Sequence, residues 1–157
     1  TQVLTNKNLD SVIKVSKHPL GAVINFEGNV IFDSGSVELR PEMVTVMDSL
    51  ASVIAREAKQ YSIFIEGHTD DNPISSGFIK SNWELSALRS SAVARAFQAK
   101  GFRKDKLKVS GFSDTRPIVP NRDASQAPLV NNQAKNRRVV LKVLNVNANE
   151  KSSEELL

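Results

Sequence analysis

The clearest alternation of hydrophobic and polar positions lies between residues 62 and 97. Apolar residues 63–65 predict a strand, which gives way at Gly67 to a polar loop. A helix is predicted to begin near Ser81, because Ser81 and Glu84 have the spacing of a capping box. Its core-facing stripe recurs every three or four residues, as Leu85, Leu88, Ala92, Val93, Ala96 and Phe97. The opposite, polar face is predicted to carry Ser86, Ser90, Ser91 and Arg95.

One charged residue, Arg89, falls inside this apolar stripe, and a guanidinium is seldom buried without a partner. Its aliphatic stem could pack on the edge of the core, or its charge could face a pocket and bind an anion. Helical side chains lean toward the N-terminus, so Arg89 points toward the loop that follows the strand. Asp70 lies in that loop. The two residues are therefore expected to meet or to flank one site, which suits either a salt bridge or a ligand that carries both an ammonium and a carboxylate.

The remaining pattern predicts further strands and one long helix. Residues 21–32 are predicted to form a hairpin that turns at residues 27–29, where Gly and Asn tolerate a positive φ. Pro41 is placed to open a helix that runs to about Lys59. Its apolar stripe is Met43, Val46, Met47, Leu50, Val53 and Ile54. Strands are predicted at residues 107–112 and at residues 139–146. A helical turn at residues 132–136 is predicted to precede the second of them.

Strands that alternate with amphipathic helices predict an α/β fold, a two-layer α+β sandwich. Residues 1–19 are expected to form a linker or N-terminal helical segment, residues 20–146 the domain and residues 147–157 a flexible C-terminal tail. The loop at residues 113–132 contains three prolines, and its length indicates function or mobility rather than core. If the last strand runs antiparallel to residues 62–66, Arg137 reaches the end of the sheet where Asp70 lies.

Composition narrows the functional classes. The chain of 157 residues is 40% hydrophobic and 24% charged, as is typical of one soluble globular domain. It has no apolar run near the ~20 residues of a membrane span, and it begins at Thr1, so any targeting segment is expected to be missing. The absence of cysteine excludes disulfides and thiol chemistry. A net charge of +4 would suit nucleic acid, an anionic surface or an acidic polymer. With one Trp and one Tyr, however, the chain lacks the aromatic residues interleaved with basic ones that bind single strands, so nucleic acid is not expected as a partner.

A metal-dependent hydrolase built from His68, Asp70 and Asp71, with His18 as an optional further ligand, is the competing enzymatic interpretation. Catalytic metal sites commonly take three protein ligands at converging positions. The chain has only two histidines, and three adjacent loop residues rarely converge on one ion. A serine nucleophile is also disfavoured, because no G-x-S-x-G elbow is present. These residues thus disfavour both catalytic interpretations, and neither catalysis, a cofactor nor a metal is expected.

Four motifs, GHTDD, LSALRSSAV, GFSDTRPIVPN and NRRV, follow one another along the chain. In content and order they resemble the OmpA-like peptidoglycan-binding domain, over about residues 24–146. Within that superfamily, FDSGSVELRPE, the long loop after GHTDD, and SNWELSALRSSAV look most like the periplasmic C-terminal domain of flagellar motor stator B subunits (MotB/PomB type). Porin-type and lipoprotein members usually have a shorter connection between the TD and LS motifs.

The resemblance implies a βαβαβ(α)β mixed sheet with helices on one face. It also implies that the ligand is the meso-diaminopimelate of the peptidoglycan stem peptide. Asp70 would take the ammonium of that ligand, and Arg89 would grip its carboxylate. The other residues that the resemblance places at the ligand site are Asn82, Arg137, Asn72 and, with a role in shaping the turn, Thr69. Arg138 is expected to face the other side of its strand.

The resemblance further implies the periplasmic domain of a single-pass inner-membrane protein that anchors the motor stator to the cell wall. The implied partners are peptidoglycan, a stator A subunit (MotA/PomA type) bound through an N-terminal membrane helix that this chain lacks, and a second copy of the chain in a homodimer. An outer-membrane or lipoprotein-type wall anchor of the same superfamily is the alternative. The sequence upstream of Thr1 would decide between them.

Overall fold

The computed structural model describes residues 13–146. Within them lie five strands, β1 (Ile13–His18), β2 (Gly21–Glu27), β3 (Ser62–His68), β4 (Leu107–Gly111) and β5 (Arg138–Leu144). The helices of the same residues are α1 (Gly28–Ile31), α2 (Pro41–Glu57), α3 (Asn82–Ala99) and α4 (Val130–Asn136), with a 3-10 turn at Lys104–Lys106. The strands form one mixed sheet in the order β1-β2-β5-β3-β4, in which β3 and β4 are parallel and the other neighbours antiparallel. The predicted α/β class is confirmed.

The register of the two central strands positions the loops at one end of the sheet. Strand β5 pairs antiparallel with β3, which is the condition on which Arg137 is expected to reach the end of the sheet where Asp70 lies. Arg138 at the start of β5 lies opposite His68 at the end of β3. The preceding residue, Arg137, therefore lies beside the loop that carries Asp70. Neighbouring residues of a strand face opposite sides of the sheet, so Arg137 and Arg138 point in different directions.

The core lies between one face of the sheet and helices α2 and α3. Its fully buried members include Ile63 and Ile65 of β3 and Leu141 of β5. The predicted helical stripes supply the other side: Met43, Met47 and Ile54 from α2, and Ala92, Val93 and Phe97 from α3, are all buried. This burial is the main stabilising term of the fold, and it holds α3 against β3.

The N-terminal part of the described chain differs from the prediction. Residues 21–32 do not form a hairpin, because the chain turns into α1 after Glu27, where the Gly28 N–H donates to the Arg137 carbonyl at 2.6 Å. Strand β2 instead pairs antiparallel with β1 on one side and with β5 on the other, and β1 lies in the segment expected to be a linker or helix. Only Ile13 of β1 is buried, so the hydrophobic pattern of this edge strand is weak. Residues 1–12 and 147–157, to which the rest of the linker and the tail were assigned, lie outside the described residues.

Helix α3 approaches the sheet more closely than its hydrophobic stripe predicts. Ser86 and Ser90, which the pattern places on the polar face, are 1% and 0% exposed. They lie over Gly67 and Gly111, where the missing side chains leave room for the helix backbone. The Ser90 hydroxyl donates to the Ser110 carbonyl at 2.9 Å, and the Ser86 hydroxyl accepts from the Ser113 N–H at 3.1 Å. Small hydroxyl side chains thus form part of the buried face.

Candidate functional site

A cleft of about 420 Å³ opens where β3, β5 and the N-terminus of α3 meet the surrounding loops. All six residues that the sequence analysis assigns to a ligand site line it, namely Thr69, Asp70, Asn72, Asn82, Arg89 and Arg137. The apolar side chains of Phe32, Ile74 and Leu85 complete the wall. Its charged groups are two guanidiniums and one carboxylate, so the lining of the cleft carries a net positive charge.

Arg89 is held in this wall by backbone oxygens and an aromatic ring. It is 7% exposed; its Nε donates to the Ser36 carbonyl at 2.9 Å, and its Nη2 donates to the Asp33 carbonyl at 3.3 Å. Its guanidinium carbon lies 5.0 Å from the centroid of the Phe32 ring. Within residues 13–146 no carboxylate lies within 4.0 Å of it. Burial and the nearby Arg137 lower the pKa of Arg89 to about 10, although Asp70 acts in the opposite direction.

Asp70 forms its ion pair with Arg137 and not with Arg89. One carboxylate oxygen accepts from Arg137 Nη1 in a short contact, and the other accepts from the Asn72 N–H at 2.9 Å. Of the two outcomes that the sequence analysis leaves open, Asp70 and Arg89 flank one site and do not meet. The reason is the register of β3 and β5, which puts Arg137 nearer to Asp70 than a residue two turns into α3.

The loop after β3 is shaped by amide and hydroxyl side chains. Asn82 donates to the Asn72 carbonyl at 3.0 Å and to the Asp70 carbonyl at 3.4 Å, so the start of α3 supports the loop. The Thr69 hydroxyl donates to the Asp70 carbonyl at 2.8 Å. Ser81 caps α3 as predicted, although its hydroxyl bonds the Trp83 N–H and the Glu84 carboxylate, a variant of the capping box.

Two residues that the sequence analysis does not assign to the site, Arg122 and Gln133, hydrogen-bond the loop after β3 from outside the cleft. Arg122 donates to one oxygen of Asp71 at 2.6 Å, and Gln133 donates to the other at 3.0 Å. Burial alone would raise the pKa of Asp71, but these hydrogen bonds outweigh it and the net pKa is lowered. Arg122 is the one cation in the proline-rich part of the loop between Arg116 and Lys135, which is the only sequence signal for its role.

The residues of the competing metal-site interpretation lie in different surroundings. His68 hydrogen-bonds Glu66 at 3.3 Å and stacks on Phe112, whereas Asp70 pairs with Arg137. Both oxygens of Asp71 are already occupied. Within residues 13–146, no three His, Asp or Glu side chains come together as a metal site would require.

A larger cleft of about 630 Å³ lies at the C-terminal end of α3, the end away from Asp70. Its cations are Lys59, Lys100, Arg103 and Lys106. Lys100 pairs with Asp48 at 3.2 Å, and Arg103 pairs with Asp105 at 2.6 Å. None of the residues assigned to a site by sequence lies there.

Comparison with known proteins identifies the family. A model of the OmpA family matches residues 31–137, which is more than half of the chain. The chain belongs to the OmpA family. The matched range contains all six cleft residues that the sequence analysis assigns, and the predicted resemblance is confirmed.

Proteins similar to this chain include motility proteins. Motility protein B of Bacillus subtilis (strain 168) is 27% identical over 146 residues, which cover 90% of this chain and 52% of that protein. The chain spans about half the length of the curated relatives it matches. No helix in residues 13–146 combines the length and the apolar character that a bilayer span requires.

Two solved structures share the fold of this chain. The cell wall anchor of the T6SS from Pseudomonas aeruginosa superposes with a TM-score of 0.78 at 26% identity, covering 91% of this chain and 94% of that one. The periplasmic domain of Helicobacter pylori MotB superposes with a TM-score of 0.71 at 25% identity, covering 87% and 84% of the two chains. These similarities extend to the mixed sheet as a whole.

Proposed function

We propose that this chain is a non-catalytic peptidoglycan-binding domain that anchors a flagellar motor stator to the cell wall. The observation that carries the proposal is Arg89, a buried guanidinium that lines the cleft with no carboxylate partner among the described residues. An arginine has five N–H groups, and Arg89 uses two of them on backbone carbonyls. The remaining donors suit an anionic group of a ligand.

The ligand we propose is the free end of diaminopimelate in a peptidoglycan stem peptide. This end carries an ammonium beside a carboxylate. Arg89 would hold the carboxylate, and Asp70 would take the ammonium in competition with its present partner Arg137. Arg137 would then direct some of its guanidinium N–H groups toward the carboxylate of the ligand. Asn72, Asn82 and Thr69 would complete the polar wall, and the net positive charge of the cleft favours a carboxylate-bearing ligand.

Sedimentation with insoluble peptidoglycan tests this proposal. We expect Asp70→Asn and Arg89→Gln to lose most binding, because a hydrogen bond to a charged group contributes about 1.5–3 kcal/mol, or roughly 10- to 150-fold in affinity. Arg103→Ala, which removes an exposed ion pair at the other end of α3, is the matched control and should sediment like the parent. If the two cleft variants remain folded by circular dichroism and still sediment fully, the site assignment is wrong.

The placement of the whole protein is part of the proposal. The similarity to Motility protein B supports an inner-membrane protein with this domain in the periplasm, joined to a stator A subunit (MotA/PomA type) and working as a homodimer. Co-purification of the full-length protein with its stator A subunit, together with restored motility in a strain that lacks the gene, is the expected result. Full motility in that strain would contradict the stator role while leaving wall binding untouched.

A second candidate is the same wall-binding activity in another envelope complex. The similarity to the cell wall anchor of the T6SS favours it, with a TM-score of 0.78. This candidate, like an outer-membrane or lipoprotein anchor, keeps the ligand and changes the partner. Copurification with components of such a complex, and no effect of gene loss on motility, would favour it over the stator role.

A further inference from the structure

The long loop between β4 and α4 is built around one buried amide. The side chain of Asn136, which is 0% exposed, accepts from the N–H groups of Ile118 and Val119 at 2.9 and 3.2 Å. It also donates to the Val119 carbonyl and to the Asn121 side chain, both at 2.8 Å. These bonds fix the loop as far as Asn121, and Arg122 follows directly.

Arg122 and Gln133 both hydrogen-bond Asp71 and Asn72, two neighbouring residues of the loop that follows β3. Besides binding Asp71, Arg122 donates from Nη2 to the Asn72 side-chain oxygen at 3.3 Å. Gln133, which is 3% exposed, donates to that same oxygen at 3.3 Å. Neither Arg122 nor Gln133 lines the cleft, so both act on the site from outside it.

Asn72 sets the orientation of the Asp70 carboxylate. The Asn72 N–H donates to an Asp70 carboxylate oxygen, and the Asn72 carbonyl accepts from Asn82. A displacement of Asn72 would therefore turn the carboxylate of Asp70 and release the start of α3. Binding constellations lose affinity when their supporting residues leave them about 1 Å too loose.

We propose that Arg122 and Gln133 are positioning residues for the ligand site: through Asp71 and Asn72 they hold the Asp70 carboxylate in the orientation that receives an ammonium group. This inference rests on the proposed function of the cleft. It assigns the loop between β4 and α4 a role in affinity, although the loop itself touches no ligand. Asp71, whose two oxygens are both occupied, supports the site and does not bind the ligand.

The test is calorimetric titration with a soluble stem peptide that ends in diaminopimelate, at a temperature well below the unfolding midpoint of every variant. We expect Arg122→Ala and Gln133→Ala each to weaken binding by about tenfold, in line with the loss of one hydrogen bond to a charged group. Arg122→Lys should recover part of the loss, since it keeps a charge beside Asp71 and cannot also reach Asn72. Arg103→Ala, which breaks an exposed Arg–Asp pair of the same 2.6 Å length, should keep the affinity of the parent.

The outcomes separate this inference from the proposed function. If the parent binds and Arg122→Ala and Gln133→Ala bind equally well, the positioning role is wrong and the proposed function stands. If the variants are less stable and the folded protein keeps the affinity of the parent, the two residues serve folding alone, and the inference is again wrong. If the parent does not bind the peptide at all, the proposed function fails and this inference fails with it.

Discussion

At the scale of single residues, the decisive feature is Arg89, a buried positive charge with no carboxylate partner among residues 13–146. A guanidinium removed from water is costly unless hydrogen bonds compensate. Arg89 receives compensation from two carbonyls and the face of Phe32. The loop that supplies both carbonyls turns at Gly35, whose φ of +70° is one that other residues rarely adopt. The protein thus keeps a positive group at the cleft that a ligand carboxylate can neutralise.

A matched pair of ligands tests this feature. A stem peptide with lysine in place of diaminopimelate keeps the ammonium and lacks the neighbouring carboxylate. We expect the parent protein to bind it at least about tenfold more weakly, because Arg89 would stay unpaired in a dehydrated site. Calorimetry measures both affinities. Arg89→Gln should bind the two peptides with similar, low affinity. If the parent binds both peptides equally well, Arg89 does not recognise the carboxylate of diaminopimelate.

At the scale of secondary structure elements, the site depends on how closely α3 lies on β3 and β4. A Cβ atom built on Gly67 would lie 2.1 Å from the Ser86 carbonyl oxygen and 2.7 Å from the Ser90 hydroxyl. The nearest group is helix backbone, which cannot move without moving the whole of α3. The glycine therefore sets the distance between the strand that leads to Asp70 and the helix that carries Arg89.

Gly67→Ala is accordingly expected to be destabilising. Overpacking of a core commonly costs about 1–3 kcal/mol, and urea unfolding measures the loss. Ser91→Ala is the control on the same helix, because within residues 13–146 the Ser91 hydroxyl bonds only the Ala87 carbonyl of its own helix. A change within about 0.5 kcal/mol is expected for it. Parent-like stability in Gly67→Ala would mean that α3 can shift away from the sheet.

At the scale of the whole molecule, the two faces of the sheet differ in chemistry. The face opposite α3 carries a polar cluster that joins β3 to β5, in which Glu66, His68 and Arg138 are buried and Lys142 is half-buried. Burial, opposed by the hydrogen bond to Glu66, lowers the pKa of His68, and the positive charges of Arg138 and Arg116 act in the same direction as burial. For Glu66, burial acts to raise the pKa, but the bonds from His68 and Lys142 outweigh it and the pKa is lowered.

This cluster predicts how stability depends on pH. A histidine whose pKa is lower in the folded state binds its proton more readily when unfolded, so its contribution to stability is complete above the ordinary pKa of 6.5 and is lost as the pH falls below it. Urea midpoints should therefore decrease from pH 7.5 to pH 5.5, and His68→Gln should flatten that decrease. His18→Gln retains His68 and should behave like the parent. If the urea midpoint of His68→Gln decreases with falling pH as steeply as that of the parent, the pH dependence does not come from His68.

The sequence by itself determined the elements whose hydrophobic period is regular. The stripes of α2 and α3 and the apolar runs of β3 and β5 each match one repeating geometry, so the pattern is sufficient to place them. It also determined that Arg89 is an exceptional charge, because a single residue breaks an otherwise apolar stripe. The family motifs identified six of the residues that line the cleft before any geometry was known.

Only the tertiary structure decided which of these charges meet. The choice of Arg137 over Arg89 as the partner of Asp70 follows from the pairing of β3 with β5, which are separated by about half of the chain. The support from Arg122 and Gln133 likewise depends on a loop folding back across the sheet end. Buried Ser86 and Ser90 escaped the pattern for the same reason, because their burial is set by contacts with distant residues that local periodicity does not record. Strand β1 escaped it because most of its side chains are exposed, so no hydrophobic alternation marks it.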